Sequence, residues 1–403
     1  MERRNSVSPQ KPALRRVLTF WPLFFYGLGV IVGAGIYVAL GEVIARANAA
    51  APLSFLLAGI CAALTGVCYA ELAGRYPEAA GAAAYVKKAY SSDILGIAVG
   101  LATTVAAAVS AAAIAQGAVS YVDDLLPIPQ NLAVVFLIIS FGVLSAYGVK
   151  ASVSIAAILG ALELIGLFAA TGMGLYRANS IEITQIFFLP EYNWSGVVGG
   201  AFIAFFAYIG FETLANLAEE VEKPEQTVPA AILASVALSL FLYVVVSISA
   251  VVGGATGDSP LASLFKGNYA LAFSIIVFFT ISNGTLVQIN MLSRLFYGMA
   301  HLGELPKVFA SINERTSTPI LATATATTII LIASMLLDFK SLLTIVNYLT
   351  LAVFIAIDCA LLKLKLSKKP TSSFQVPLFV PLAAAIMSIA MVLNETLIGS
   401  NLL

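Results

Sequence analysis

About eleven stretches of roughly twenty predominantly apolar residues run almost without pause through this chain, and that pattern leaves one class of structure open. They fall near 18–46, 52–73, 94–121, 131–148, 151–176, 195–217, 229–252, 269–298, 319–337, 341–362 and 375–394. Each is long enough to cross the hydrocarbon core of a bilayer as a helix, and a bilayer admits only helices or closed barrels. Only 10% of the residues are charged and 60% are hydrophobic, whereas soluble domains run near 25% charged. The expected fold class is therefore an all-α polytopic membrane protein. The basic segment 1–17 precedes an apolar run too long for the core of a cleaved signal peptide. We read 1–17 as a tail, 18–362 as a core of ten spans, and 363–403 as a loop, an eleventh span and a short tail, with the lipid bilayer as the surrounding medium.

Orientation follows from the basic residues, which collect on the cytoplasmic side. With the N-terminus placed in the cytoplasm, only Arg46, Arg177, Lys266 and Lys340 of the 21 Lys and Arg fall outside. A miscount of one early span would scramble that segregation. The expectation is a multi-pass protein of the cell membrane with a cytoplasmic N-terminus.

Two spans carry glycines at membrane depth. The first reads Gly27-Leu-Gly29-Val-Ile-Val-Gly33-Ala-Gly35-Ile-Tyr37, and the sixth reads Phe205-Phe-Ala-Tyr-Ile-Gly210-Phe-Glu212-Thr213. Glycine weakens a helix, and unwound backbone survives in a membrane only where it lines a protein cavity. Close helix packing is the competing reading, since Gly29 and Gly33 form a GxxxG. Position favours the cavity: the first and sixth spans each open a block of five, and matched interruptions in two halves mark a transporter binding site. A half-helix starting near Ile36 would offer free N–H groups and a positive dipole end to an anion, while unwound carbonyls could take an ammonium. A carboxylate trap beside an ammonium trap suits an amino acid.

At these residues the chain resembles the amino acid–polyamine–organocation transporters. Gly29-Val-Ile-Val-Gly33-Ala-Gly35-Ile-Tyr37 is similar to the family's first-helix signature, and Val38-Ala-Leu-Gly-Glu42-Val43 to its cationic amino acid branch. Phe205 to Glu212, Glu219-Glu-Val-Glu-Lys-Pro224, Ser293 to Pro306 and Pro77 to Tyr85 resemble later family motifs, in order. The resemblance implies a five-plus-five inverted-repeat (LeuT-like) fold with helices 1 and 6 broken, working by alternating access. Carried over by position, it places the substrate carboxylate on the Ala34 and Gly35 amides beside Gly33. The carbonyls of Ile31, Phe206 and Ile209 would hold the amino group next to Gly210, with Phe206 or Tyr208 as an aromatic lid. Relatives often have a twelfth span, whose absence here would bear on oligomerisation; a homodimer is compatible with the sequence.

Ionisable groups at membrane depth are functional candidates by default. Glu163 stands mid-span with no basic residue in that stretch, where many relatives carry a lysine. It could carry a proton, attract a cationic substrate, or be a hydrogen-bonded structural acid. Glu212 follows the sixth-span interruption, as gate or as helix cap. Asp358 in the tenth span reads as a structural pairing. Ser282 and Asn283 of the eighth span could meet a coupling ion at the first-span break or simply bond between helices. The small residues Ala106 to Ala113 leave either a roomy pocket or a closely packed third span.

Other function classes lack their signatures. The charges balance at 21 of each sign, so nucleic acid is not an expected partner. One histidine and three scattered cysteines suggest neither metal nor disulfide, and no cofactor is expected. Neither a Walker motif, HExxH nor Gly-x-Ser-x-Gly occurs, which argues against a pump or an enzyme. A channel or a transporter-derived sensor is the remaining alternative. The expected substrate is a small amino acid or amine, a polyamine or cationic amino acid included, moved by exchange or with a proton rather than sodium.

Overall fold

The computed structural model describes residues 18–77, 81–125, 128–147, 149–178, 193–257, 259–301, 305–313, 315–316, 318–367 and 374–398, so the 1–17 tail lies outside them. Helices α1 (Phe20–Ile31) and α2 (Ala34–Ala47) share the first apolar stretch, followed by α3 (Ala51–Arg75). A short helix α4 (Gly81–Tyr90) leads into α5 (Asp93–Ser120), α6 (Gln130–Tyr147) and α7 (Val149–Arg177). The second half opens with α8 (Trp194–Ala204), a 3₁₀ turn at Phe205–Tyr208 and the single turn α9 (Thr213–Asn216). Then come α10 (Pro224–Val252), α11 (Pro260–Ser263), α12 (Asn268–His301), α13 (Ile320–Leu336), α14 (Phe339–Leu366) and α15 (Phe379–Ile398).

Each expected stretch contains helix, with two differences at the edges. Helix α4 occupies what the sequence suggested was a plain loop; its alanines favour helix, and Lys87 and Lys88 complement the dipole of its last turn. The last helix begins four residues later than expected. Residues 375–378 hold an irregular path instead, anchored where the Val376 N–H donates to the Glu71 carboxylate at 2.8 Å. Among the described residues eight helical stretches could cross a membrane by length and composition, the run Phe20–Arg75 being taken as one. That run is interrupted at Val32–Gly33 and turns at Asn48–Ala50.

Packing sorts the helices into two groups. Helices α1, α2, α3, α8 and α10 lie against one another, with the α3–α10 contact the most extensive, while α5, α6, α12 and α13 form the second set. Helix α7 touches α10 and α12, and α14 touches α3 and α5, so each bridges the two groups. The alanines Ala106 to Ala108 and Ala111 to Ala113 are buried, and Thr285 of α12 donates to the Ala111 carbonyl at 3.3 Å. Small side chains there let two backbones approach. Outward faces carry large apolar side chains such as Phe136, Phe168, Phe241 and Leu336, as a lipid-facing surface does.

The free end of α2 is fastened to α15. Arg46 Nη2 and Glu395 Oε2 are 2.7 Å apart with side chains only 11% and 10% exposed, and the Arg46 guanidinium lies over Gly199 of α8. Arg46→Ala should cost about 3 kcal/mol, because it strands a largely buried carboxylate. Adding Glu395→Gln should recover part of that loss, read as a double-mutant cycle of unfolding in detergent. Additive effects would mean the pair is uncoupled.

Candidate functional site

Helix α1 stops at Ile31, Val32 and Gly33 step out of helical geometry, and α2 resumes at Ala34. The first amides of α2, those of Ala34 and Gly35 among them, have no partner within their own helix. In the second half the 3₁₀ turn ends at Tyr208, Ile209 is extended, and Gly210 sits at φ +131°. Only glycine takes that conformation without strain.

The two breaks face each other at backbone distance. A Cβ on Gly35 would lie 2.6 Å from the Ala207 Cα, and one on Gly210 would lie 2.8 Å from the Val30 side chain. By contrast a Cβ on Gly29 would meet nothing within 4 Å, so Gly29 is no packing contact and the GxxxG reading of this run loses half its pair. Beyond the breaks the chain segments also meet: Leu18 N–H donates to the Glu220 carbonyl at 3.0 Å, and Glu222 N–H to the Leu18 carbonyl at 2.8 Å. Spans one and six are thus clipped at an end and apposed at their centres.

A residue that the sequence did not single out joins them. Tyr243 of α10 places its hydroxyl 2.5 Å from the Ile31 carbonyl and 2.9 Å from the Ala207 carbonyl. With one proton it serves one acceptor at a time, so it bridges carbonyls from both breaks. Of the carbonyls expected to hold an ammonium, Ile31 accepts Tyr243, and Phe206 accepts the Ile209 N–H at 3.3 Å. Each keeps a second lone pair. Tyr243 was hidden in the sequence because it is one tyrosine in an unbroken apolar span. Asn347 of α14 was missed for the same reason; its amide donates to the Phe202 carbonyl at 2.8 Å, meeting an acceptor in the last turn of α8.

The two aromatic candidates are placed differently. Tyr208 points into the packed group, donating to the Phe55 carbonyl of α3 at 2.8 Å and stacking edge-on with Tyr243. Phe206, 4% exposed, makes no such polar anchor among the described residues. Glu212 accepts the Gly210 N–H at 2.8 Å, while Thr213 donates to the Gly210 carbonyl, so Glu212 braces the break itself rather than capping α9.

Glu163 is buried on α7, and its Oε1 has no hydrogen-bond partner among the described residues. Its main-chain carbonyl accepts the Tyr37 hydroxyl at 2.6 Å, which sets α7 against α2 just past the first break. Tyr121 in turn donates to the Tyr37 carbonyl at 3.0 Å. Both Tyr37 and Tyr243 lie within electrostatic reach of the Glu163 carboxyl. Ser282 donates to the Phe278 carbonyl of its own helix at 2.5 Å, and Asn283 lies buried beside it. Helix α12 packs on α2, but no hydrogen bond brings Ser282 to the first break among the described residues. No group of three or more His, Cys, Asp or Glu capable of holding a metal occurs among them either.

The arrangement offers backbone donors and acceptors at the meeting point of two broken helices, with a buried carboxyl alongside. These are the donors and acceptors that a small zwitterion would need, and no nucleophile–base pair for catalysis stands beside them among the described residues. The profile of the amino acid permease family matches residues 18–399. The chain is 29% identical to the methylthioribose transporter of Bacillus subtilis (strain 168), over 94% of this chain and 88% of that one. It is 29% identical to the mitochondrial cationic amino acid transporter 3 of Arabidopsis thaliana and 27% identical to cationic amino acid transporter 4 of Mus musculus. Those matches cover 87% and 91% of this chain but only 62% of either relative, so it spans under two thirds of their length. These relatives are transporters rather than enzymes. On the breadth of the profile match and the paired helix breaks, this multi-pass membrane protein belongs to the amino acid permease family, within the amino acid–polyamine–organocation transporters, and shares their LeuT-like fold.

Proposed function

We propose that the protein carries an amino acid with a cationic side chain across the cell membrane by alternating access, together with a proton, its N-terminus in the cytoplasm. The observation that carries this reading is the apposition of the two breaks, with one tyrosine hydroxyl on carbonyls of both. The substrate carboxylate would take the Ala34 and Gly35 amides, and its ammonium would displace the Tyr243 hydroxyl from the Ile31 carbonyl. Glu163 would carry the proton. The likeness to cationic amino acid transporters supports the substrate class, and the segregation of Lys and Arg supports the orientation.

Purified protein in proteoliposomes, given an inward proton gradient, should accumulate labelled lysine or arginine saturably. Neutral amino acids, polyamines and methylthioribose form the other arms. The B. subtilis relative, which this chain matches over most of both lengths, makes methylthioribose a specific second candidate. Accumulation in that arm alone would replace the amino acid reading.

Tyr243→Phe gives a sharper test of the binding geometry. Losing the competing hydroxyl should tighten substrate binding roughly fivefold, the equivalent of one ordinary hydrogen bond of about 1 kcal/mol. Without substrate the same variant should unfold at a lower temperature than wild type. Weaker binding instead would make the hydroxyl a substrate ligand rather than a placeholder.

A further inference from the structure

The seam between α3 and α14 carries a column of polar groups that belongs to neither break. Thr65, Cys68, Glu71 and Arg75 recur at helical spacing on one face of α3, and Asp358 and Lys365 stand two turns apart on α14. At the Lys365 end the acid of the column meets two cations. Glu71, fully buried, pairs with Arg75, with Lys365 Nζ at 2.7 Å and with the Val376 N–H at 2.8 Å. Lys365 also donates to the Val376 carbonyl at 2.6 Å.

Two turns further in, Asp358 is fully buried and has no basic partner among the described residues. Thr65 donates to its Oδ2 at 3.1 Å, and the Cys68 thiol reaches the same carboxyl. Among the described residues its Oδ1 finds no hydrogen-bond partner. The other titratable groups facing it are Cys61, Tyr69 and Glu71 of α3, Cys359 of its own helix and Lys365, which is engaged by Glu71. A buried ionised carboxylate left with one bare oxygen and no cation in contact is costly; the neutral acid costs far less. Tyr69, whose hydroxyl is also without a partner among the described residues, lies within electrostatic reach of both Asp358 and the Glu212 that braces the second break.

We propose that Asp358 is a proton-binding site distinct from Glu163, holding its proton while α3 and α14 are packed together and releasing it when they part. On release the O–H bond of the carboxyl breaks, the electron pair stays on Asp358, and the proton passes to water entering the seam. Helix α14 touches both helix groups, so any rocking of one group on the other must slide it against α3 or α5. The release step rests on the carrier reading above; the holding of the proton does not.

Infrared spectroscopy of the purified protein in lipid tests the site without any substrate. At neutral pH the wild type should show a protonated-carboxyl C=O band that disappears in Asp358→Asn and remains in Glu163→Gln. Thr65→Val, which removes the hydrogen bond to Oδ2, should move that band to higher frequency, and it serves alone if Asp358→Asn does not fold. A spectrum unchanged by Asp358→Asn, or a band unmoved by Thr65→Val, would overturn the proposal. Uptake that fails in the wild type for every substrate of the panel while these bands behave as stated would sink the transport reading and leave the proton site standing.

Discussion

Glu163→Gln should abolish proton-driven accumulation while leaving exchange intact. A carrier that moves one proton with each substrate can concentrate it about tenfold per unit of pH difference. Removing the proton-accepting oxygen removes that coupling, so the variant should equilibrate substrate but not concentrate it. The sign with pH follows from the same step: wild-type uptake rises as the outer solution is acidified, and the variant loses the part of that rise that Glu163 supplies. The buried Oε1, without a partner among the described residues, and the Tyr37 hydroxyl on the Glu163 main chain place the carboxyl where its charge would be felt at the first break. Parallel uptake and counterflow assays over a pH series measure both. If only cationic substrates lose uptake while neutral ones keep their proton dependence, Glu163 recognises the side chain and is not the proton carrier.

Gly35→Ala should lower transport by roughly tenfold or more without removing the fold. The added Cβ would meet the Ala207 Cα at 2.6 Å, and backbone cannot swing aside as a side chain does. Overpacking of that kind costs about 1–3 kcal/mol, all of it borne by the state in which the breaks meet. Gly210→Ala should act in the same direction, since φ +131° is strained for any L side chain and Val30 is in the way. Gly29→Ala is the control: its Cβ would project into open space, so transport should stay within twofold or so of wild type. Initial-rate uptake across the three variants, at matched expression, distinguishes apposition of the breaks from a general intolerance of alanine in span one.

The glycines at 27–35 and 210 pointed to breaks only together with their matched places at the start of two five-span blocks and the family resemblance, since the same glycines also read as packing contacts. The spans were legible because apolar length is the condition for crossing. What the sequence could not supply was which helix faces which. Tyr243 and Asn347 look like ordinary members of apolar spans, and their roles appear only when α10 and α14 are set against carbonyls two hundred or so residues away in some cases. Glu71 escaped notice because it ends a span next to Arg75 and reads as half of a surface pair, whereas Lys365 and Val376 converge on it from α14 and the segment before α15. Tyr208 shows the opposite limit: position alone admitted it as a lid, but its hydroxyl bonds the Phe55 carbonyl on the packed side.

The central claim is that the two apposed breaks carry substrate through an occluded cycle, and counterflow tests it most directly. Proteoliposomes holding wild-type protein would be loaded with unlabelled lysine and diluted into a trace of labelled lysine, with no ion gradient. The account predicts a transient rise of label inside well above equilibrium, saturable in the external substrate and lost in Gly35→Ala. Label that only equilibrates, at a rate proportional to concentration and indifferent to the internal lysine, would contradict it and point to a channel.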